Sequence, residues 1–185
     1  MFIRNVDEGL EKLIRARLPL PEEVGDVSFD APGRNWSAQL SRLTVNLFLF
    51  HVDRSTQPSR APQQRVDANG RAQQRAPQPM IELGYLVSAW AGSPRDEHVL
   101  LGDLVSLLAG ISRLPEELVV SDAVVQLQIG ASEPFVKARE IWQGVGGDLK
   151  ASFTLTATAP ADTWDWTDQA PAVERISVLS SPSHI

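Results

Sequence analysis

The sequence contains no cysteine, only one tyrosine and two methionines, and three histidines. The absence of cysteine excludes disulfides, thiolate metal sites and thiol nucleophiles at one stroke. Aromatic residues make up 6% of the chain, and no apolar run approaches the roughly 18 residues that span a bilayer. An excess of positive charge is missing too. The net charge of −6 argues against general nucleic-acid binding, which needs a basic surface. The N-terminal stretch MFIRNVDEGLEKLIR places charges where a secretory signal needs an apolar segment, so residence in the cytoplasm is expected.

What remains is an ordinary globular composition, 43% hydrophobic and 22% charged, over 185 residues. That length suffices for a single domain with a substantial core. Asn5 and Glu8 have capping-box spacing, and Val6, Leu10, Leu13, Ile14 and Leu18 follow as a helical stripe that Pro19 and Pro21 end. Val27 to Phe29 reads as a short strand. Leu43 to Val52 reads as a longer one, with Val45, Leu47 and Leu49 on one face and Phe48, Phe50 and Val52 on the other. Met80 to Trp90 is a second long strand, with Ile81, Leu83, Tyr85, Val87 and Ala89 sharing a face. Ser93, Pro94 and Asp96 open a helix whose buried stripe is Leu100, Leu101, Leu104, Val105, Leu108 and Ile111.

Val124 to Ile129 alternates as a strand. Ser132 caps a further helix carrying Phe135, Ala138, Trp142 and Val145, and Gly146-Gly147 stops it. Ser152 to Ala159 is a strand with Phe153, Leu155 and Ala157 inward and its threonines outward. Val173 to Leu179 is a candidate last strand. The sum is an α+β (mixed α/β) domain, a largely antiparallel mixed sheet with about three helices packed on it. The domain covers 1–159, and 160–185 is a C-terminal extension.

Residues 53–78 stand apart. They carry Arg54, Arg60, Arg65, Arg71 and Arg75 among glutamines and prolines, with almost no large apolar side chain. Such a segment cannot fold on its own burial. It is either a solvated loop or, given the turn chemistry of Asp67-Ala68-Asn69-Gly70, a hairpin arm between antiparallel strands. The arginines suit an acidic neighbouring subunit, because guanidinium forks pair with carboxylates. Trp164 and Trp166, in an acidic stretch of the extension, read either as a cover for the sheet edge or as interface anchors. These seven residues form a candidate subunit interface.

Catalytic and metal chemistry find little support. His51 reads as a strand residue on the face of Leu49. His98 reads as a first-turn residue of the Ser93 helix. No Gly-x-Ser-x-Gly elbow and no paired-histidine spacing accompanies them. Gly144 to Asp148 follows a helix rather than preceding one, so it reads as a stop and not a phosphate loop.

Several pieces in order carry a family resemblance: Ile3-Arg4-Asn5-Val6-Asp7-Glu8; Val27-Ser28-Phe29-Asp30 with Pro32 and Trp36; Thr44 to Phe50; the arginine segment; and Leu83 to Trp90 leading to Glu97-His98-Val99-Leu100-Leu101-Gly102. From Ile3 to about Ala159 this order resembles the terminator, or cap, proteins of phage-tail-like contractile injection systems. It is most similar to the N-terminal domain of the sixteenth component of particles of the Photorhabdus virulence cassette type. The resemblance implies a tail-terminator-like fold and a structural protein with no enzyme activity and no cofactor. Its copies would form a hexameric ring on the distal end of the inner tube and sheath, ending polymerisation and stabilising the extended sheath. The implied partners are copies of itself, the sheath protein and the inner tube protein, with no nucleic acid and no membrane. Assembly in the cytoplasm would precede incorporation into the particle. The resemblance transfers no individual functional residue. Two other readings stand beside it: another tail assembly protein, such as a connector or baseplate adaptor, and a small hydrolase using His98 or His51.

Overall fold

A computed structural model of the chain describes residues 2–119, 123–130 and 138–169. Helix α1 (Phe2–Arg17) opens the fold, followed by strand β1 (Gly25–Ser28), the short helix α2 (Arg34–Ser37) and strand β2 (Leu43–Arg54). Strands β3 (Gln63–Val66) and β4 (Ala72–Arg75) come next, then strand β5 (Met80–Trp90) and helix α3 (Pro94–Ala109). A 3-10 turn (Glu116–Leu118), strand β6 (Gln126–Ile129), helix α4 (Ala138–Gly144), strand β7 (Ser152–Pro160) and the two-residue strand β8 (Thr167–Asp168) complete the described elements. The architecture is α+β. A five-stranded sheet runs β1-β2-β5-β7-β6, parallel only between β1 and β2, and a small sheet runs β3-β4-β8. No helix among the described residues is long and apolar enough to cross a membrane.

Helix α1 begins at Phe2, so Asn5 and Glu8 lie inside it rather than forming a capping box. Phe2 and Ile3 pack against the core, and that burial overrides the local cap signal. Val6, Leu10, Leu13 and Ile14 are buried as their spacing requires. One polar contact pins α1 to the sheet: the hydroxyl of the buried Tyr85 donates to Asp7 Oδ1 at 2.7 Å. Burial raises the Asp7 carboxyl above its ordinary value, partly offset by that hydrogen bond, and burial also pushes the Tyr85 phenol up. With the folded-state value raised, Asp7's contribution to stability is present at low pH and fades as pH rises through that value. Tyr85→Phe removes the donor and leaves a half-buried carboxylate unpaired. We expect a loss of about 1–3 kcal/mol in urea unfolding at neutral pH.

Helix α3 starts as its sequence dictates: Ser93 Oγ accepts from the Asp96 N–H at 3.2 Å and donates to Asp96 Oδ2 at 2.7 Å. Its buried seam is narrower than the apolar pattern suggests. Leu100, Leu104 and Leu108 are buried and Leu101 and Ile111 only partly so, whereas Val105 is 38% exposed.

These two helices cover the face of the sheet that carries Val45, Leu47, Leu83, Tyr85, Val87, Leu127, Leu155 and Ala157. The opposite face holds a second cluster of Leu86, Ile141 and Trp142, with Phe48, Phe50, Trp90 and Val145 against it. Thr156 and Thr158 lie on the face of β7 opposite Leu155 and Ala157 but are buried there, and Thr156 Oγ1 donates to the Gly130 carbonyl at 2.7 Å. Helix α4 ends in a Schellman motif: Gly147 N–H reaches the Trp142 carbonyl, Gly146 N–H the Gln143 carbonyl, and Gly146 sits at φ +67°. This is the helix stop expected from the glycines. The predicted Ser132 cap, Phe135 and the candidate strand at 173–179 lie outside the described residues.

Candidate assembly surface

Past the body of the sheet, the chain between β2 and β5 forms the hairpin arm. Strands β3 and β4 pair antiparallel from Gln63 opposite Arg75 to Val66 opposite Ala72. The turn follows from its residues: Asp67 Oδ1 accepts from the N–H groups of Asn69 (2.9 Å) and Arg71 (2.7 Å), and Gly70 takes φ +79°. A type I turn followed by a left-handed residue closes hairpins of this length. Hydrogen bonding to the Arg71 amide holds the Asp67 carboxyl below its ordinary value.

At its base the arm is joined to the sheet by satisfied polar groups. The buried Ser55 donates through Oγ to Glu82 Oε1 at 2.8 Å, and its N–H donates to the Met80 carbonyl at 2.9 Å. Arg60 and Gln78 exchange backbone hydrogen bonds at 2.7 and 3.1 Å, and the buried Gln78 amide reaches the Ala161 carbonyl at 3.0 Å. The small sheet also repeats the order of the large one: β2, β5 and β7 are neighbours, and their continuations β3, β4 and β8 are neighbours in the same order.

Residues at odd positions share one face of the arm, because side chains alternate along a strand. That face gathers the predicted interface residues unevenly. The guanidinium carbon of Arg65 lies 4.2 Å from the centre of the Trp166 ring, and that of Arg75 lies 5.1 Å away. Arg65 also donates through Nε and Nη2 to Gln73 Oε1, both at 3.0 Å. Arg71 Nη1 is 3.7 Å from Asp168 Oδ2, which leaves it mostly exposed. Arg54 lies at the exposed end of β2, Arg60 at the base, and Trp164 is 58% exposed beside the arm. Arm and extension thus meet within one chain instead of standing as two separate patches. Asp168 and Gln73 were missed from the sequence. The period-two spacing of Trp164, Trp166 and Asp168 was the available signal, and only its second half forms a strand.

Among the described residues, the histidines assemble no catalytic set. A bulge at Phe50 shifts the β2–β5 register, so that Leu49 opposes Tyr85 but His51 opposes Gly84. His51 therefore faces the side opposite Leu49, a correction to the regular alternation expected for this strand. Gly84 accommodates the bulge, since a Cβ there would lie 3.1 Å from His51 Cβ and 3.3 Å from Phe50 Cζ. His98 is exposed on α3. Among the described residues, no group of three or more histidine or acidic side chains is placed to hold a metal ion. Two open depressions, one beside Arg42 and Trp90 and one beside Arg34 and Trp36, contain neither a histidine nor a carboxylate.

Comparison with solved structures places this architecture. The chain superposes on the sheath/tube terminator of an extracellular contractile injection system, PVC, in its extended state. The TM-score is 0.72 at 19% identity, over 100% of this chain and 65% of that one. It also superposes on the tube-terminating cap of the anti-feeding prophage with a TM-score of 0.60 at 16% identity, over 97% of this chain and 60% of that one. The chain therefore spans less than two thirds of the length of either. No curated protein matches the sequence. The model of the Pvc16 N-terminal domain matches residues 5–175, reaching from α1 through the arm and past β8, and the chain belongs to the Pvc16 N-terminal domain family.

Proposed function

We propose that this chain is a structural tail terminator of a contractile injection system. Copies of it form a ring, six by this reading, that caps the distal end of the inner tube and sheath. The ring ends tail polymerisation and stabilises the extended sheath. The protein acts by binding, without enzymatic turnover or cofactor, and its partners are its own copies, the sheath protein and the inner tube protein. It assembles in the cytoplasm and becomes part of the particle. The observation that carries the reading is the likeness of the whole chain to the PVC terminator. The projecting arm agrees with it, since a ring closed by head-to-tail contacts needs each subunit to present two different patches.

The arm is the candidate for one of those patches. Arg65, Arg75 and Trp166 hold the arm together, while Arg54, Arg71 and Trp164 face outward and are the residues placed to meet a neighbour. Arg60 sits at the base and supports the arm. Negative-stain imaging of the purified protein is expected to reveal six-fold rings, alone or on tube and sheath ends. Light scattering of Arg54→Glu/Arg71→Glu/Trp164→Ala is expected to report a folded monomer, with ring formation reduced at least tenfold, the effect of losing about 1.4 kcal/mol in all. A wild-type protein that stays monomeric at all concentrations and does not bind tube or sheath ends would refute the terminator reading. Rings that persist in the triple variant would remove the arm from the interface.

A further inference from the structure

The arm has few means of holding itself together. Its strands carry glutamine, arginine, alanine and one valine, and Val66 is 69% exposed. A lone two-stranded hairpin of this kind is marginal in water. A segment from the far end of the described chain lies against it. After β7, the Ala161 N–H donates to the Pro79 carbonyl at 2.9 Å, which fixes the start of this segment at the base of the arm. Trp166 then places its ring within cation–π reach of both Arg65 and Arg75. The buried Arg75 Nε has no hydrogen-bond partner, so the ring covers that guanidinium without satisfying it. Thr167 Oγ1 donates to the Gln74 carbonyl (3.1 Å), Asp168 Oδ1 accepts from Gln73 Nε2 (2.9 Å), and the Gln169 N–H donates to the Ala72 carbonyl (2.8 Å).

We propose that residues 166–169 are a strap that folds the arm. With the strap docked, the arm is a three-stranded sheet; with it released, the hairpin between 63 and 75 loses its order while the five-stranded sheet keeps its own. The strap's contacts named above all fall on β3, β4 and the turn residue Arg71, and it supplies the arm's only aromatic ring and its third strand. Stacking of an arginine on an indole and strand addition to an open edge are both made only to the ordered hairpin, so each shifts the arm toward its folded form. The large sheet has its own two-sided core and gains nothing comparable from these residues.

Native-state amide exchange on the full chain tests this, at a dilution where the protein is a monomer, so that the result is independent of ring formation. Trp166→Ala removes the ring, and Gln169→Pro removes the N–H that reaches Ala72. Each is expected to speed exchange across 63–75 by about three- to tenfold, the scale of an exposed cation–π contact or a strand hydrogen bond. Exchange in β2, β5 and β7 is expected to stay unchanged. If either variant leaves the arm's exchange unaltered, or if the acceleration spreads equally to β5 and β7, the strap does not have this role. Failure of ring assembly in an otherwise normal arm would bear on the terminator reading alone.

Discussion

Trp142→Ala is expected to lower the stability of the chain by about 3–5 kcal/mol, the largest effect of any single substitution considered. The indole is 1% exposed and lies at the centre of the smaller core, between α4 and the Leu86 face of the sheet. It meets the Trp90 ring edge-on at 6.1 Å, and Trp90 in turn meets Trp36 at 5.3 Å, so the three indoles form a chain running out to α2. Trp142 Nε1 donates to Ser152 Oγ at 3.1 Å. Gly147 is pressed against the same ring, since a Cβ there would lie 2.9 Å from Trp142 Cε3. Truncation thus leaves a cavity that a helix of seven residues has little means to close, and it leaves Ser152 Oγ with only the bond it donates to the Lys150 carbonyl at 3.2 Å. Urea unfolding measures the loss. A cost below about 1 kcal/mol would mean that α4 collapses onto the sheet and that this layer is not a fixed part of the core.

Leu104→Ala is expected to cost about 2–5 kcal/mol, and Val105→Ala, one position away on the same helix, less than about 0.5 kcal/mol. Both residues are aliphatic and both belong to an apolar run. Only Leu104, at 0% exposed, sits on the 100-104-108 seam that α3 lays on the sheet, whereas Val105 is 38% exposed. The pair separates burial from hydrophobicity within a single turn, and thermal unfolding of the two variants is sufficient to compare them. Equal costs would place the α3 seam elsewhere.

Much of this was legible in the sequence because local rules and the fold agree. The Ser93 cap, the glycine stop after α4, the two long strands and the turn at Asp67 to Gly70 are each written in a few adjacent residues. What was not legible depends on contacts between distant parts of the chain. The start of α1 moved to Phe2 because Phe2 and Ile3 find a core that no local pattern announces. The Phe50 bulge, which turns His51 to the other face, is permitted by a glycine 34 positions later in the chain, at Gly84. Of the candidate interface, the arginines and tryptophans were named from composition. Their division into those that build the arm and those that face outward needed the position of Trp166, which sequence spacing alone could not give.

The continuity of β2, β5 and β7 into β3, β4 and β8 has a mechanical consequence. In the proposed terminator role, the contracting tail pulls on whatever holds its end. A pull applied to the arm along its length is carried by strands that run back into the middle of the large sheet. Antiparallel hydrogen bonds lie across the strands, so such a pull loads many of them together in shear instead of peeling them one after another. The seven-residue turn region at the base, from Ser55 to Ala61, is tied by Ser55–Met80 and Arg60–Gln78 and is not a slack tether. The arm is thereby anchored as a rope is spliced, by lying alongside what holds it, and its attachment resists tension better than it resists bending.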